Sequence, residues 1–208
     1  MKNLNLLHDA MTTPDKETAN ALIKQFILSN DLHTKSKFNL YDFTAKKYDF
    51  NPIVMGVNYR NGFAYATDLH MAIKIKQEYT PELENKTIDK KGANLTGTFP
   101  DVDAVIPDDK NLTYIPFDFA RVSDIEKLFN IDRKTNKDLQ IGVIKIGNVY
   151  LSVTLLSKIA KFALHLGITT VGVQEATRCI KITNGESAAI LMPVMFNEEA
   201  ENQKLYTL

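Results

Sequence analysis

The sequence has almost no cysteine, no net charge and no long apolar run. Its single cysteine among 208 residues, Cys179, leaves no internal disulfide and no cluster of thiolate metal ligands. Cys179 sits in an alternating strand pattern and reads as a small core residue. Lys+Arg and Asp+Glu stand at 25 each, so no overall charge draws the chain to nucleic acid or a membrane. Any DNA contact has to come from a local basic face. The N-terminal stretch MKNLNLLHDAMTTPDKE carries no signal-peptide pattern, and no segment is long and apolar enough to span a bilayer. The expectation is a cytoplasmic protein with no membrane contact. A P-loop, a dinucleotide fingerprint, a nucleophile elbow and a zinc spacing are all missing as well. The chain therefore reads as a non-enzyme, with no catalytic residue, metal or cofactor assigned.

What is present is ordinary globular composition, 44% hydrophobic and 24% charged, in a chain long enough for one large domain or two small ones. Thr13-Pro14-Asp15 starts a helix expected over 14–29, with Ala19, Leu22, Ile23, Phe26 and Ile27 as its apolar stripe. From residue 51 the period changes to two. Ile53–Tyr59, Phe63–Thr67 and Met71–Lys76 read as strands joined at Arg60-Asn61-Gly62 and Asp68-Leu69-His70. Residues 77–113 read as a long polar connection with a short hairpin near Lys91-Gly92 and an apolar island, Phe99–Pro107, fenced by prolines. A helix is expected over Val122–Asn130, then a polar loop, then a hairpin turning at Gly147-Asn148. A second amphipathic helix spans Thr154–Leu166 and is closed by Gly167. Thr170–Val173, Arg178–Thr183 and Ala188–Val194 read as strands, with Asn184-Gly185 as a turn.

Two stretches repeat this order. Met55-Gly56-Val57, Phe63–Asp68 and Met71-Ala72-Ile73 lie over Val171-Gly172-Val173, Cys179–Asn184 and Ala188-Ala189-Ile190. Each has a helix upstream, and each puts Thr-Asp or Thr-Asn at the turn before its last strand. The expectation is an α+β fold made of two helix-plus-antiparallel-sheet halves with pseudo-two-fold symmetry. The halves would span 1–110 and 111–196, followed by a mobile acidic tail over 197–208.

Three motifs carry a resemblance. Ala66-Thr67-Asp68-Leu69-His70-Met71-Ala72 looks like A-T-D-G-H-R-L, Phe99–Pro107 like F-P-D-Y-x-x-V-I-P, and Ser187–Met195 like S-A-A-Y-V-V-M-P-M. In this order they resemble the bacterial sliding clamp, the beta subunit of DNA polymerase III. The similarity spans about residues 51–195 and is too short for the family's three domains, so it implies a reduced clamp-like homologue. The resemblance implies a sliding-clamp fold built of βαβββ halves. It also implies a pocket for the short linear peptides of polymerase or repair proteins. The residues carried over to that pocket are Thr67, Leu69, His70, Met71, Pro100, Val105, Ile190, Met192, Pro193 and Val194. Leu69 replaces the family's glycine, Met71 its arginine, and Asp103-Ala104 its basic pair. These departures imply a closed pocket or a different peptide preference.

The resemblance also implies helices lining a central hole, where Lys24, Lys158, Lys161 and His165 would touch the phosphates of double-stranded DNA without reading sequence. The same side chains fit a solvated helix face, and on the sequence alone that reading is the favoured one. A ring would need enough copies to supply about six clamp domains, hence a homo-oligomer. Two functions follow. One is a replication or repair accessory protein that docks on or encircles DNA and tethers partners through the pocket. The other, of the kind a phage or mobile element would encode, is a protein-interaction module that keeps the fold without the ring or the DNA. The segment Gln203–Leu208 also resembles a clamp-binding peptide able to occupy a neighbour's pocket.

Overall fold

The computed structural model describes residues 12–15, 18–19, 38–47, 51–174 and 178–208. Of the helix expected over 14–29, only Pro14, Asp15, Thr18 and Ala19 fall within these, and Lys24 lies outside the described residues. Asp15 provides the visible cap: its Oδ2 accepts from Thr18 N at 2.8 Å and its carbonyl from Ala19 N at 2.9 Å.

The period-two run forms three strands, β1 (Val57–Arg60), β2 (Phe63–Thr67) and β3 (Met71–Lys76). Asn61 and Gly62 both take positive φ, as a two-residue hairpin turn requires. The first strand starts later than the sequence pattern suggests. Pro52 fits the first position of a helical turn, and Pro52–Met55 closes into a 3₁₀ turn that buries Ile53 and Val54. The connection then makes the hairpin expected near Gly92, from β4 (Lys86–Ile88) and β5 (Asn94–Leu95). The apolar island becomes a short helix, α1 (Val102–Val105), followed by β6 (Thr113–Pro116).

The expected middle helix is longer than its apolar pattern: α2 spans Phe119–Thr135. Asp118 caps it through Ala120 N, and Arg133 and Lys134 suit its C-terminal end. The hairpin β7 (Ile141–Ile146) and β8 (Val149–Ser152) leads into α3 (Val153–His165). Gly167, at φ +67°, closes α3 in a Schellman arrangement, with Ile168 N donating to Ala163 O and Gly167 N to Leu164 O. Strands β9 (Thr170–Val173), β10 (Ile180–Thr183) and β11 (Ala188–Leu191) complete the expected meander.

Among the described residues, nine strands form one sheet in the order β5-β4-β1-β2-β3-β11-β10-β9-β6. The two meanders meet at the antiparallel seam β3/β11, where Ile73 faces Ala189 and Met71 faces Leu191. Alternation along each strand gives the sheet two apolar faces. One carries Val57, Ala64, Met71, Ile73, Ile182, Ala189 and Leu191 against Leu156, Ile159, Phe162 and Ala163 of α3. The other carries Tyr65, Ala72 and Ile190 against Phe99 and Val102. Each fully buried large aliphatic side chain contributes about 1.5–3 kcal/mol.

The tail expected to be mobile is instead ordered. Gln203–Tyr206 forms β12, which pairs in parallel with β7 and leaves Tyr206 buried. The physical reason is a lock on α2: the Tyr206 hydroxyl and Lys204 Nζ both donate to Asp132 Oδ2, at 2.6 and 2.9 Å. The segment that resembles a clamp-binding peptide therefore lies on this chain's own β7. Among the described residues no helix is long and apolar enough to cross a membrane.

Candidate peptide cleft

The first wall of the site is the turn between β2 and β3. Thr67 Oγ1 accepts from Leu69 N at 3.0 Å and donates to Met71 O at 2.8 Å. Asp68 Oδ1 accepts from His70 N at 3.0 Å and Met71 N at 2.9 Å. The turn between β10 and β11 is bonded the same way. Thr183 Oγ1 accepts from Gly185 N and donates to Ser187 O, and Asn184 Oδ1 accepts from Ser187 N. Gly185 has φ +96°, and its counterpart Leu69 has φ +71°. Leu69 therefore keeps the turn that glycine would favour, at a conformational cost of about 1–2 kcal/mol.

The second wall is the segment after Phe99, held over the sheet by charge. Asp103 Oδ1 accepts from Lys74 Nζ at 2.8 Å, and its Oδ2 accepts from the Tyr65 hydroxyl at 2.9 Å and from Arg60 at 3.4 Å. Partial burial would raise the Asp103 pKa, but the bonds from Lys74 and Tyr65 outweigh it and hold the carboxyl below its ordinary value. Further along, Lys181, only 7% exposed, donates to Pro107 O at 2.9 Å and Asp109 Oδ1 at 2.6 Å. Asp103, a departure from the family motif, is thus an anchor of this wall.

Between the walls lies a cleft of about 540 Å³. Eight of the ten pocket residues expected from the sequence line it: Thr67, Leu69, His70, Met71, Pro100, Val105, Ile190 and Met192. Three of these leave large apolar surface uncovered, Leu69 at 45% exposed, Val105 at 56% and Met192 at 44%. Met192 N donates to His70 O at 2.9 Å, which ties the β11 end to the first wall. Pro193 and Val194 do not line the cleft. Val194 N donates to Tyr150 O, which carries the chain away toward β8. Leu69 stands exposed at the cleft, whereas the Met71 side chain is buried on the α3 side of the sheet, and the cleft remains open. Sequence reasoning missed Ala72, Asp101, Val102, Ala104, Arg178 and Cys179 as lining residues. Cys179 and Met192 flank the paired residues Ile180 and Leu191, so strand register would have found Cys179. Burial pushes its thiol pKa up.

Among the described residues, the expected DNA-facing side chains of α3, Lys158, Lys161 and His165, are unequally open. Lys158 Nζ lies 4.0 Å from Asp68 Oδ2 and is largely covered. Burial draws its ammonium pKa below the ordinary value, against the pull of Asp68. His165 is exposed but stacks on Phe38, with ring centroids 4.9 Å apart. Lys161 is partly exposed on the same helix. Among the described residues no group of three or more His, Cys, Asp or Glu side chains is placed to hold a metal ion.

An antiparallel sheet with helices on one face and a cleft formed at its seam defines the class: this is a sliding-clamp-like α+β fold. The solved structures it resembles are bacterial DNA polymerase III beta clamps. The beta chain from Streptococcus pneumoniae matches with TM-score 0.53 at 17% identity, covering 85% of this chain and 63% of that one. The Bacillus subtilis sliding clamp matches with TM-score 0.51 at 15% identity, covering 86% and 63%. The Helicobacter pylori beta clamp, solved with a DNA ligase peptide bound, matches with TM-score 0.50 at 10% identity, covering 75% and 61%. The chain thus spans less than two thirds of the length of these clamps and carries a reduced version of their fold. No family model matches the sequence, and no curated protein does.

Proposed function

We propose that this chain is a clamp-like accessory protein of DNA replication or repair that tethers partner proteins by holding their short extended peptides in the cleft. The observation that carries this reading is convergence. Three segments far apart in sequence, around Thr67–Met71, Pro100–Val105 and Ile190–Met192, line one open apolar cleft. Exposed apolar side chains around a few committed polar groups suit a peptide with apolar anchors. Each anchor buried there contributes about 1.5–3 kcal/mol, enough for micromolar affinity with two or three anchors.

The same reading includes the two halves, 1–110 and 111–196, as counterparts about a local two-fold axis at the Ile73/Ala189 pair. Its support is the register: one sequence offset relates Thr67 to Thr183 and Ile73 to Ala189, one residue earlier than the sequence overlay that set Ile73 over Ile190. It also includes non-specific docking on DNA by an oligomer, through Lys158 and Lys161. The alternative is an interaction module that binds peptides and no DNA, and the partial burial of Lys158 against Asp68 favours it. Light scattering with and without circular DNA separates the two.

The test of the cleft is titration of a labelled DNA ligase peptide of the kind bound by the Helicobacter pylori clamp. Saturable binding to the wild type, lost in Met192→Asp, is expected. Met192 is partly exposed, so this substitution leaves the fold intact. Binding that survives Met192→Asp unchanged, or no binding to the wild type, overturns the reading.

A further inference from the structure

The polar groups of the cleft are unequally occupied. Thr67 Oγ1 has both its donor and an acceptor site used within the turn. Asp101 already faces Arg60 at 3.4 Å. Arg178 is different. It is exposed, it lines the cleft beside Cys179, and its guanidinium makes no ion pair or hydrogen bond with any described residue. It is also the one arginine or lysine among the described residues that line the cleft. A guanidinium with no partner among the described residues, at the rim of an apolar cleft, offers a planar fork of donors suited to a carboxylate.

Deepening the peptide reading, on which it rests, we propose that the cleft selects peptides bearing an acidic residue beside their apolar anchors, and that Arg178 binds its carboxylate. The floor around Arg178 fixes where that residue falls. Cys179 and Met192 flank the Ile180/Leu191 pair, and Met192 is bonded to His70 across the seam. An anchor resting on Met192 therefore places a neighbouring residue within reach of Arg178. Asp101, on the other wall, repels an acidic group placed against it, so charge also sets the direction in which the peptide lies.

The experiment uses the full chain and three labelled peptides that share one set of apolar anchors and carry Glu, Gln or Lys beside them. Binding is measured by fluorescence anisotropy at low and high salt, to wild type, Arg178→Ala and Arg178→Glu. Arg178 is exposed and bonds nothing described, so both variants are expected to fold. The Glu peptide should bind the wild type about five-fold tighter than the Lys peptide at low ionic strength, the scale of one rim ion pair, and the gap should shrink with salt. Arg178→Ala should remove the preference and leave the Gln peptide within about two-fold of wild type, and Arg178→Glu should reverse it. Binding of all three peptides with equal affinity, or a preference unchanged in Arg178→Glu, overturns this inference and leaves the cleft standing. Failure of every peptide to bind the wild type overturns the cleft reading and this inference with it.

Discussion

Replacing Asp103 by alanine tests whether charge holds the second wall of the cleft in place. The carboxylate takes three bonds, from Lys74, Tyr65 and Arg60, and so ties α1 to β3, β2 and β1. A hydrogen bond to a buried charged group is worth about 1.5–3 kcal/mol. Asp103 is 44% exposed, however, and solvent screens its pairs to about 1 kcal/mol or less each. The Arg60 contacts are long, so the sum is about 1–2 kcal/mol. In a chain of this size that lowers the melting temperature by about 3–6 °C at pH 7. The pH dependence follows from the lowered folded-state pKa. This contribution is fully present above the unfolded value of about 3.9 and is lost as pH falls through the lower folded-state value. The gap between wild type and Asp103→Ala in thermal melts followed by circular dichroism should therefore close in acid. Combining the change with Lys74→Met should cost less than the sum of the two single changes. A variant that melts with the wild type at pH 7, or a gap of equal size near pH 2, would refute the reasoning.

Two further outcomes concern stability. Tyr206→Phe removes one bond to buried Asp132 and should cost about 1.5–2 kcal/mol in urea unfolding, because the lost acceptor contact is charged and buried; an unchanged midpoint would show that the tail is not locked by this hydroxyl. Leu69→Gly relieves a positive φ at a position already partly exposed and should raise stability by about 1 kcal/mol, read as a higher melting temperature; a lower one would mean that Leu69 packing outweighs its backbone strain.

The parts of the fold that local chemistry dictates were legible in the sequence. Asn61-Gly62 sets a tight hairpin, Gly167 ends α3, and Thr67-Asp68 and Thr183-Asn184 write the same bonded turn twice. The cleft was legible to the same degree, because its three motifs are local strings. What escaped depends on contacts between distant residues. The polar last turn of α2 gave no apolar signal, yet it persists because Asp132 receives Tyr206 and Lys204 from the far end of the chain. For the same reason the polar tail gave no sign of becoming a parallel strand. Lys158 read as a free basic group because Asp68, its neighbour in space, lies in another half of the sequence. Arg178 was missed because it belongs to none of the motifs.

The cleft and the DNA face stand on unequal physical footing. The cleft is built from several independent constraints that agree. Pairing of β3 with β11 brings Met71 beside Leu191, so the ends of both motifs share one edge of the seam. Asp103 and Lys181 then clamp the intervening segment across the same sheet. Removing any one constraint leaves the others still placing these residues together. The DNA face has no such redundancy among the described residues. It rests on Lys158 and Lys161 of α3, and the charge of Lys158 is partly spent on Asp68. A phosphate recruiting Lys158 would have to draw it from that carboxylate, whose other oxygen holds the cleft turn. DNA docking through this helix would thus compete with a contact to the peptide site, whereas peptide binding in the cleft asks nothing of Lys158. This asymmetry gives the proposed partner tethering firmer physical support than the proposed DNA docking.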